Sequence, residues 1–326
     1  MIHADSRRDS RRESLERWLT EQLHGVRFSL TPASEDASFR RYFRASLEDG
    51  ASFVAMDAPP EKEDCRAFVH VAGLLRAAGV HAPQVFAQDL ASGFLLLADL
   101  GTTTYLQAIN AQNATQLFGD ATDSLIRWQL ATRAGELPPY DEALLRREMN
   151  LFPEWYVAKH LQKKIPGDSL ETIFALLVKS ALAQPSVYVH RDYMPRNLML
   201  CEPNPGVLDF QDAVLGPITY DVVSLFRDAF LSWEEEQVLD WTVRYWEKAK
   251  RAGLPVHADF AEFWQAFEWM GLQRHLKVLG IFARINYRDG KPKYLADTPR
   301  FLAYVRNVTK RYAALAPLGR LLDDLE

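Results

Sequence analysis

A chain of 326 residues, 48% hydrophobic and 25% charged, is globular in composition and longer than one core ordinarily supports, so two lobes are expected. A net charge of −5 and a pI near 6.0 give no basic footprint for nucleic acid. The two cysteines, Cys65 and Cys201, have neither metal-ligand nor disulfide spacing, which suits a reducing cytoplasm.

The first dozen residues are rich in arginine and serine, without an apolar segment. They predict a solvated tail over residues 1–12 rather than a leader. A helix is predicted over 13–24, where Leu15, Trp18, Leu19 and Leu23 recur at helical spacing. Strands follow at 26–31, 39–46 and 52–57, the first two joined by a small, polar stretch from Pro32 to Ser38. Glu61 to Ala78 reads as a helix with Phe68, Val71, Leu74 and Leu75 on one face. Strands near 84–89 and 94–98 complete a sheet of about five strands. The apolar run Phe94–Ala98 is too short to span a membrane. Residues 103–183 are helical in pattern, broken at Pro138-Pro139, Pro153 and Pro166-Gly167. Short strands fall at 187–189, 198–200 and 206–208, and residues 219–316 return to helix. The expected organisation is a strand-rich lobe over 13–98, a connector over 99–102 and a helical lobe over 103–326.

The segment that carries chemistry is His190-Arg191-Asp192-Tyr193-Met194-Pro195-Arg196-Asn197, of the form H-R-D-x-x-x-x-N. Phosphoryl transfer needs a carboxylate to orient the attacking hydroxyl and a second oxygen ligand for the metal that bridges the phosphates. One loop can present both. Eleven residues beyond Leu198, the apolar pair Val207-Leu208 leads into Asp209-Phe210-Gln211. A carboxylate at a strand end is a suitable hard-oxygen ligand for magnesium. His190 is expected to order the loop by hydrogen bonding rather than to move protons. Asp221, where the apolar run Val222-Val223-Ser224-Leu225-Phe226 begins, either caps a helix or braces this loop from the interior.

These residues together resemble the aminoglycoside phosphotransferase family, and the resemblance extends over roughly residues 20–290. It implies an α+β, bilobal, protein-kinase-like fold: a β-rich nucleotide lobe with one main helix, a hinge, and a mostly helical substrate lobe. It also implies ATP and Mg²⁺ as cofactors, Asp192 as the catalytic aspartate, and Asn197 and Asp209 as the metal ligands. Four further stretches are similar to the anomeric amino-sugar kinases of cell-wall recycling within that family: Ala37–Arg44, Val54–Pro60, Val189–Leu200 and Gln273–Phe282. They imply phosphorylation of N-acetylmuramate and N-acetylglucosamine at C1 in the cytoplasm, with no nucleic-acid, membrane or obligate protein partner. Aminoglycoside, choline and homoserine kinases of the same family, and a non-catalytic binding module, remain alternatives.

Two departures bear on the nucleotide. The glycine-rich phosphate loop is replaced by Ser34 to Ser38, whose backbone amides and the Ser34 and Ser38 hydroxyls are candidate phosphate donors. The strand lysine is also missing, its position falling at Met56 or Asp57. Arg40, Arg41 and Arg44 lie on the neighbouring strand, and one of them is expected to take over, with Arg44 among the candidates for the nucleotide. Side-chain alternation puts Arg40 and Arg44 on one face and Arg41 on the other. Leu96 to Gly101 resembles the hinge that binds adenine, which brings in Asp99 and Leu100. Glu148, Glu154, Trp155, Arg274 and His275 are candidate sugar contacts, and each is equally suited to core packing or solvent.

Overall fold

The computed structural model describes residues 9–34, 39–167 and 169–325, with only the backbone described at Ser34. The chain opens with α1 (Ser10–Gln22), then β1 (Phe28–Ser34), β2 (Arg41–Leu47) and β3 (Ser52–Asp57). Next come α2 (Cys65–Ala77), β4 (Val85–Asp89), β5 (Phe94–Ala98), α3 (Tyr105–Ala108), α4 (Ala114–Leu130) and α5 (Glu142–Met149). A π-helical segment (Phe152–His160) precedes α6 (Glu171–Leu182), β6 (Ser186–Val189), β7 (Leu198–Met199), β8 (Gly206–Val207) and β9 (Val214–Pro217). The remainder is α7 (Tyr220–Phe226), α8 (Glu235–Arg251), α9 (Phe260–Asp289), α10 (Thr298–Arg311) and α11 (Ala316–Leu325). Backbone contacts divide the chain into two compact units, Met1–Thr102 with Met199–Gln211, and Thr103–Leu198 with Asp212–Glu326.

The first unit is built on an antiparallel five-stranded sheet of order β1-β2-β3-β5-β4. Leu15, Leu19 and Leu23 of α1 pack on one of its faces against Phe43, Ala55, Phe94 and Leu96. Odd-numbered residues of β2 and β3 therefore face α1, and Met56 belongs to the other face. The helix starts at Ser10, inside the stretch expected to be solvated. The cause is electrostatic. Asp9 caps the helix by accepting from the Arg12 N–H at 3.1 Å. Arg11 donates from Nε to Oδ1 of the buried Asp57 at 2.9 Å and from Nη2 to the Ser92 carbonyl at 2.8 Å. The second helix starts later than expected, at Cys65, because Asp64 caps it by accepting from the Arg66 N–H.

The second unit is helical around α9, which is 30 residues long and buried over most of its middle. Its Gly280 serves close approach: a Cβ there would lie 2.3 Å from the backbone carbon of Leu151. The π-helical segment begins beside that contact. Pro153 falls in its first turn, where no intrahelical donor is required, so the proline that predicted a break is accommodated.

Gly280→Val is expected to destabilise the protein by roughly 2–3 kcal/mol, the cost of overpacking against a backbone that cannot retreat. Gly119→Ala in α4, where a Cβ meets nothing within 4 Å, should be neutral or stabilise by up to about 1 kcal/mol. Urea unfolding midpoints of the two variants check the contrast.

Candidate active site

In the second unit, β6 delivers the chain into the His190–Asn197 loop, and the loop is tied down from the interior. Asp221, in the first turn of α7, is fully buried. Its carboxylate accepts the backbone N–H of His190 at 2.7 Å and of Arg191 at 3.0 Å, so it braces the loop. Burial drives this carboxyl up to about 7, while the two backbone donors and the nearby Arg274 pull the other way. The Asp192 N–H donates to His190 Nδ1 at 3.3 Å, the loop-ordering role expected of that histidine. The Asn197 side-chain amide donates to the Asp192 carbonyl at 2.9 Å. The Tyr193 hydroxyl donates to the Ala121 carbonyl in α4 at 2.8 Å. Asp192 and Asn197 thus belong to one internally bonded turn. Arg191 holds a left-handed φ of 76° within it, a conformation that non-glycine residues rarely adopt.

The Arg191 guanidinium enters a buried charge cluster that the sequence did not reveal. It donates to Glu148 Oε1 in α5 and, at 3.3 Å, to the Asp212 carbonyl. Lys277 of α9 pairs with the same Glu148 oxygen at 3.0 Å and donates to the Tyr220 hydroxyl at 3.0 Å. The other Glu148 oxygen accepts from the Tyr140 hydroxyl and, at 3.2 Å, from Gln273 Nε2. Burial alone would raise the Glu148 carboxyl, but the Lys277 ammonium and the Arg191 guanidinium outweigh it and hold it at about 2. Gln273 and Lys277 stand four residues apart, on one helix face. That spacing was the available sequence signal. It does not name a partner 125 residues away.

In the first unit, Asp209 follows β8 with a left-handed φ of 61°. Gln211 Nε2 donates to its Oδ1 at 3.0 Å, and the Arg40 guanidinium lies 3.9 Å from the same oxygen. Phe210 packs on Phe68 of α2, with ring centroids 4.7 Å apart, which anchors the turn. Arg44, in the middle of β2, donates to both Asp99 oxygens, at 2.5 and 2.9 Å, and to the Gly101 carbonyl at 2.8 Å. Its place is therefore a brace of the 99–102 segment rather than a phosphate contact. Burial raises the Asp99 carboxyl, and Arg44 with Ser52 and the Gly101 N–H brings it below the ordinary range. Leu100 is buried against Gly206, where a Cβ would sit 2.8 Å from Leu100 Cδ1 and from Cys201 Sγ. Ser38 lies outside the described residues, as does the Ser34 side chain.

Among the described residues no group of three His, Cys, Asp or Glu side chains forms a self-contained metal centre. Asn197 in the second unit and Asp209 in the first each carry a hard oxygen donor. Magnesium is held by one or two protein oxygens, with phosphate and water completing its octahedron.

A model of the phosphotransferase enzyme family matches residues 29–261. The N-acetylmuramate/N-acetylglucosamine kinase of Pseudomonas aeruginosa is 59% identical over 299 residues, covering 91% of this chain and 88% of the relative. The chain belongs to the phosphotransferase enzyme family. The protein of the same name from Pseudomonas putida is 55% identical over 331 residues, 98% of this chain and 97% of the relative. The crystal structure of an ADP-bound aminoglycoside phosphotransferase superposes with a TM-score of 0.59 at 15% identity, covering 89% of this chain and 97% of the other. That likeness shows the fold, the α+β protein-kinase-like class expected from the sequence.

The expected sugar contacts of this phosphotransferase separate by burial. Glu154 is exposed and Trp155 half-buried in the π-helical segment. Glu148 is enclosed by the cluster above. His275 is fully buried, stacked on Tyr304 with centroids 4.9 Å apart. Burial, with Arg227 and Arg274 nearby, pushes its pKa well below the ordinary value, so the ring is neutral. Arg274 is 3% exposed, 3.9 Å from Met194 Sδ. Its charge offsets the two carboxyls that burial raises, Asp221 and Asp228. Glu148 and His275 are thus corrected to interior residues, because their polar atoms are enclosed inside the unit.

Glu148 is held below its ordinary pKa of 4.5 in the folded state, at about 2. Its contribution to stability is therefore present above pH 4.5 and lost as the pH falls towards 2. Glu148→Gln should remove on the order of 3 kcal/mol at neutral pH. It should also flatten the loss of stability between pH 4.5 and 2, as read from urea midpoints across that range.

Proposed function

We propose that this phosphotransferase moves the γ-phosphate of ATP to the anomeric (C1) hydroxyl of N-acetylmuramate and N-acetylglucosamine, in the recycling of cell-wall amino sugars. What carries this reading is the 59% identity to a kinase of that name across 91% of the chain, with His190-Arg191-Asp192, Asn197 and Asp209 all present. The cytoplasm as compartment belongs to the same reading. Among the described residues no helix is long and apolar enough to cross a membrane.

In this reading Asp192 is the catalytic aspartate. Its carboxylate accepts a hydrogen bond from the C1 hydroxyl, aims the oxygen at the phosphorus and takes the proton late in the transfer. The loop that carries it is preorganised by Asp221 and Asn197, so little reorganisation accompanies the reaction. Asn197 and Asp209 hold magnesium, which when bound neutralises charge on the phosphate oxygens. Asp99 and Leu100 offer backbone groups to adenine, a role that leaves the Asp99 side chain with Arg44 and the Leu100 side chain in the core. Glu154 and Trp155 wall the sugar, one by hydrogen bonding and the other by an apolar ring face. Positioning and electrostatics supply the acceleration, and no covalent enzyme intermediate is needed.

The test is phosphate transfer from ATP with magnesium to N-acetylmuramate, N-acetylglucosamine and an aminoglycoside, with the site of phosphorylation read by phosphorus–proton coupling. Transfer to C1 of the amino sugars is expected. Transfer only to the aminoglycoside would sink the reading. Asp192→Asn should lower turnover by roughly 10³-fold or more while nucleotide affinity stays within a few-fold of wild type. An active Asp192→Asn enzyme would remove Asp192 from its role.

A further inference from the structure

The sequence leaves an open question that the first unit answers: which cation does the work of the missing strand lysine. Of the two positions where the lysine could fall, Met56 is buried opposite Leu95 of β5 with no charge to offer, and Asp57 carries the opposite charge. Three arginines lie in or just before the neighbouring strand, and the structure separates them. Arg41 stands directly across from Asp57 in the β2–β3 register and donates to its Oδ2 from Nε at 3.0 Å and also from Nη2. Arg41 further pairs with Asp9 at the start of α1. It thus serves the face covered by α1, away from Met56. Arg44 is bound in a fork by Asp99 and capped by the Gly101 carbonyl.

Arg40 goes elsewhere. Its side chain is 10% exposed, and its guanidinium lies 3.9 Å from Asp209 Oδ1. That distance is an electrostatic contact rather than a hydrogen bond. At Cys65, in the first turn of α2, burial and Asp64 raise the thiol pKa, and the Arg40 charge opposes them. A guanidinium held beside the carboxylate that the ATP reading assigns to magnesium stands where a phosphate on that metal can be reached.

We propose that Arg40 is the phosphate-binding cation of this chain, acting from the start of β2 where the rest of the family pattern calls for a lysine on β3. The proposal rests on the ATP reading above and deepens it. Arg40 forks onto the nucleotide phosphates next to the magnesium held by Asp209, and the planar guanidinium supplies the reach that Met56 lacks.

The experiment is calorimetric titration of the whole protein with ADP plus magnesium and, separately, with adenosine, which has no phosphate. Arg40→Ala should weaken ADP binding by roughly 10- to 100-fold, the range for a hydrogen bond to a charged group, and leave adenosine binding and the melting temperature near wild type. Arg40→Lys should recover part of the ADP affinity. Arg41→Ala should lower the melting temperature while keeping ADP affinity. Unchanged ADP affinity in Arg40→Ala overturns the proposal. So does an equal loss of ADP and adenosine that Arg40→Lys fails to reverse, or a selective loss of ADP reproduced by Arg44→Ala. If the wild-type protein binds neither ligand, the kinase reading itself fails, a result distinct from all of these.

Discussion

The His190–Asn197 loop depends on one buried carboxylate. Consecutive backbone N–H groups at His190 and Arg191 point into the interior of the second unit, where water does not reach them, and unpaired they would cost a few kcal/mol. Asp221 accepts both. Two donors on one acceptor group fix the loop's orientation as well as its position. The left-handed turn at Arg191 is tolerable because this anchor enforces it. The carboxylate in turn needs company. Burial works against its charge, and Arg274, itself nearly enclosed, is the cation set against it. Arg274 is therefore best understood as part of the scaffold beneath the loop.

The same loop is held a second time, through the side chain of Arg191. Glu148 collects the Arg191 guanidinium, the Lys277 ammonium, the Tyr140 hydroxyl and the Gln273 amide. The two cations and one carboxylate leave one positive charge in the cluster. A buried ion pair is seldom worth its desolvation for stability alone. Here it connects α5, α9 and the residue next to Asp192, so its stiffness bears directly on how well Asp192 is aimed.

Much of this was legible in the sequence, for a definable reason. The turn that joins Asp192 to Asn197 follows from their spacing in one short segment, and a loop-bracing role for Asp221 follows from a polar residue opening an apolar helix. The sheet was legible by its alternation and turn residues. What could not be read were the long-range charge pairs. Glu148 looked like a sugar ligand because a charged residue among aromatics fits a pocket as well as a core. Only the approach of α9 decides between them. Arg11 looked solvated because nothing local reveals that the carboxylate of Asp57, 46 residues on, is buried and in need of a partner. Conversely, alternation on β2 correctly set Arg41 apart from Arg44, but not which of Arg40 and Arg44 the Asp99 carboxylate would claim.

Backbone strain joins the two motifs by a different route. Among the described residues, four non-glycine positions have positive φ: His24, Gln162, Arg191 and Asp209. The first two lie in connections where helices end, at exposed positions. The other two sit inside the His190–Asn197 and Asp209–Gln211 segments. Each costs about 1–2 kcal/mol relative to a relaxed backbone, and glycine would remove that cost at either site. Glycine would also remove the guanidinium that binds Glu148 and the carboxylate that faces Arg40. At both positions the left-handed turn carries a side chain with a charged partner, Glu148 for Arg191 and Arg40 for Asp209, an interaction that glycine could not supply.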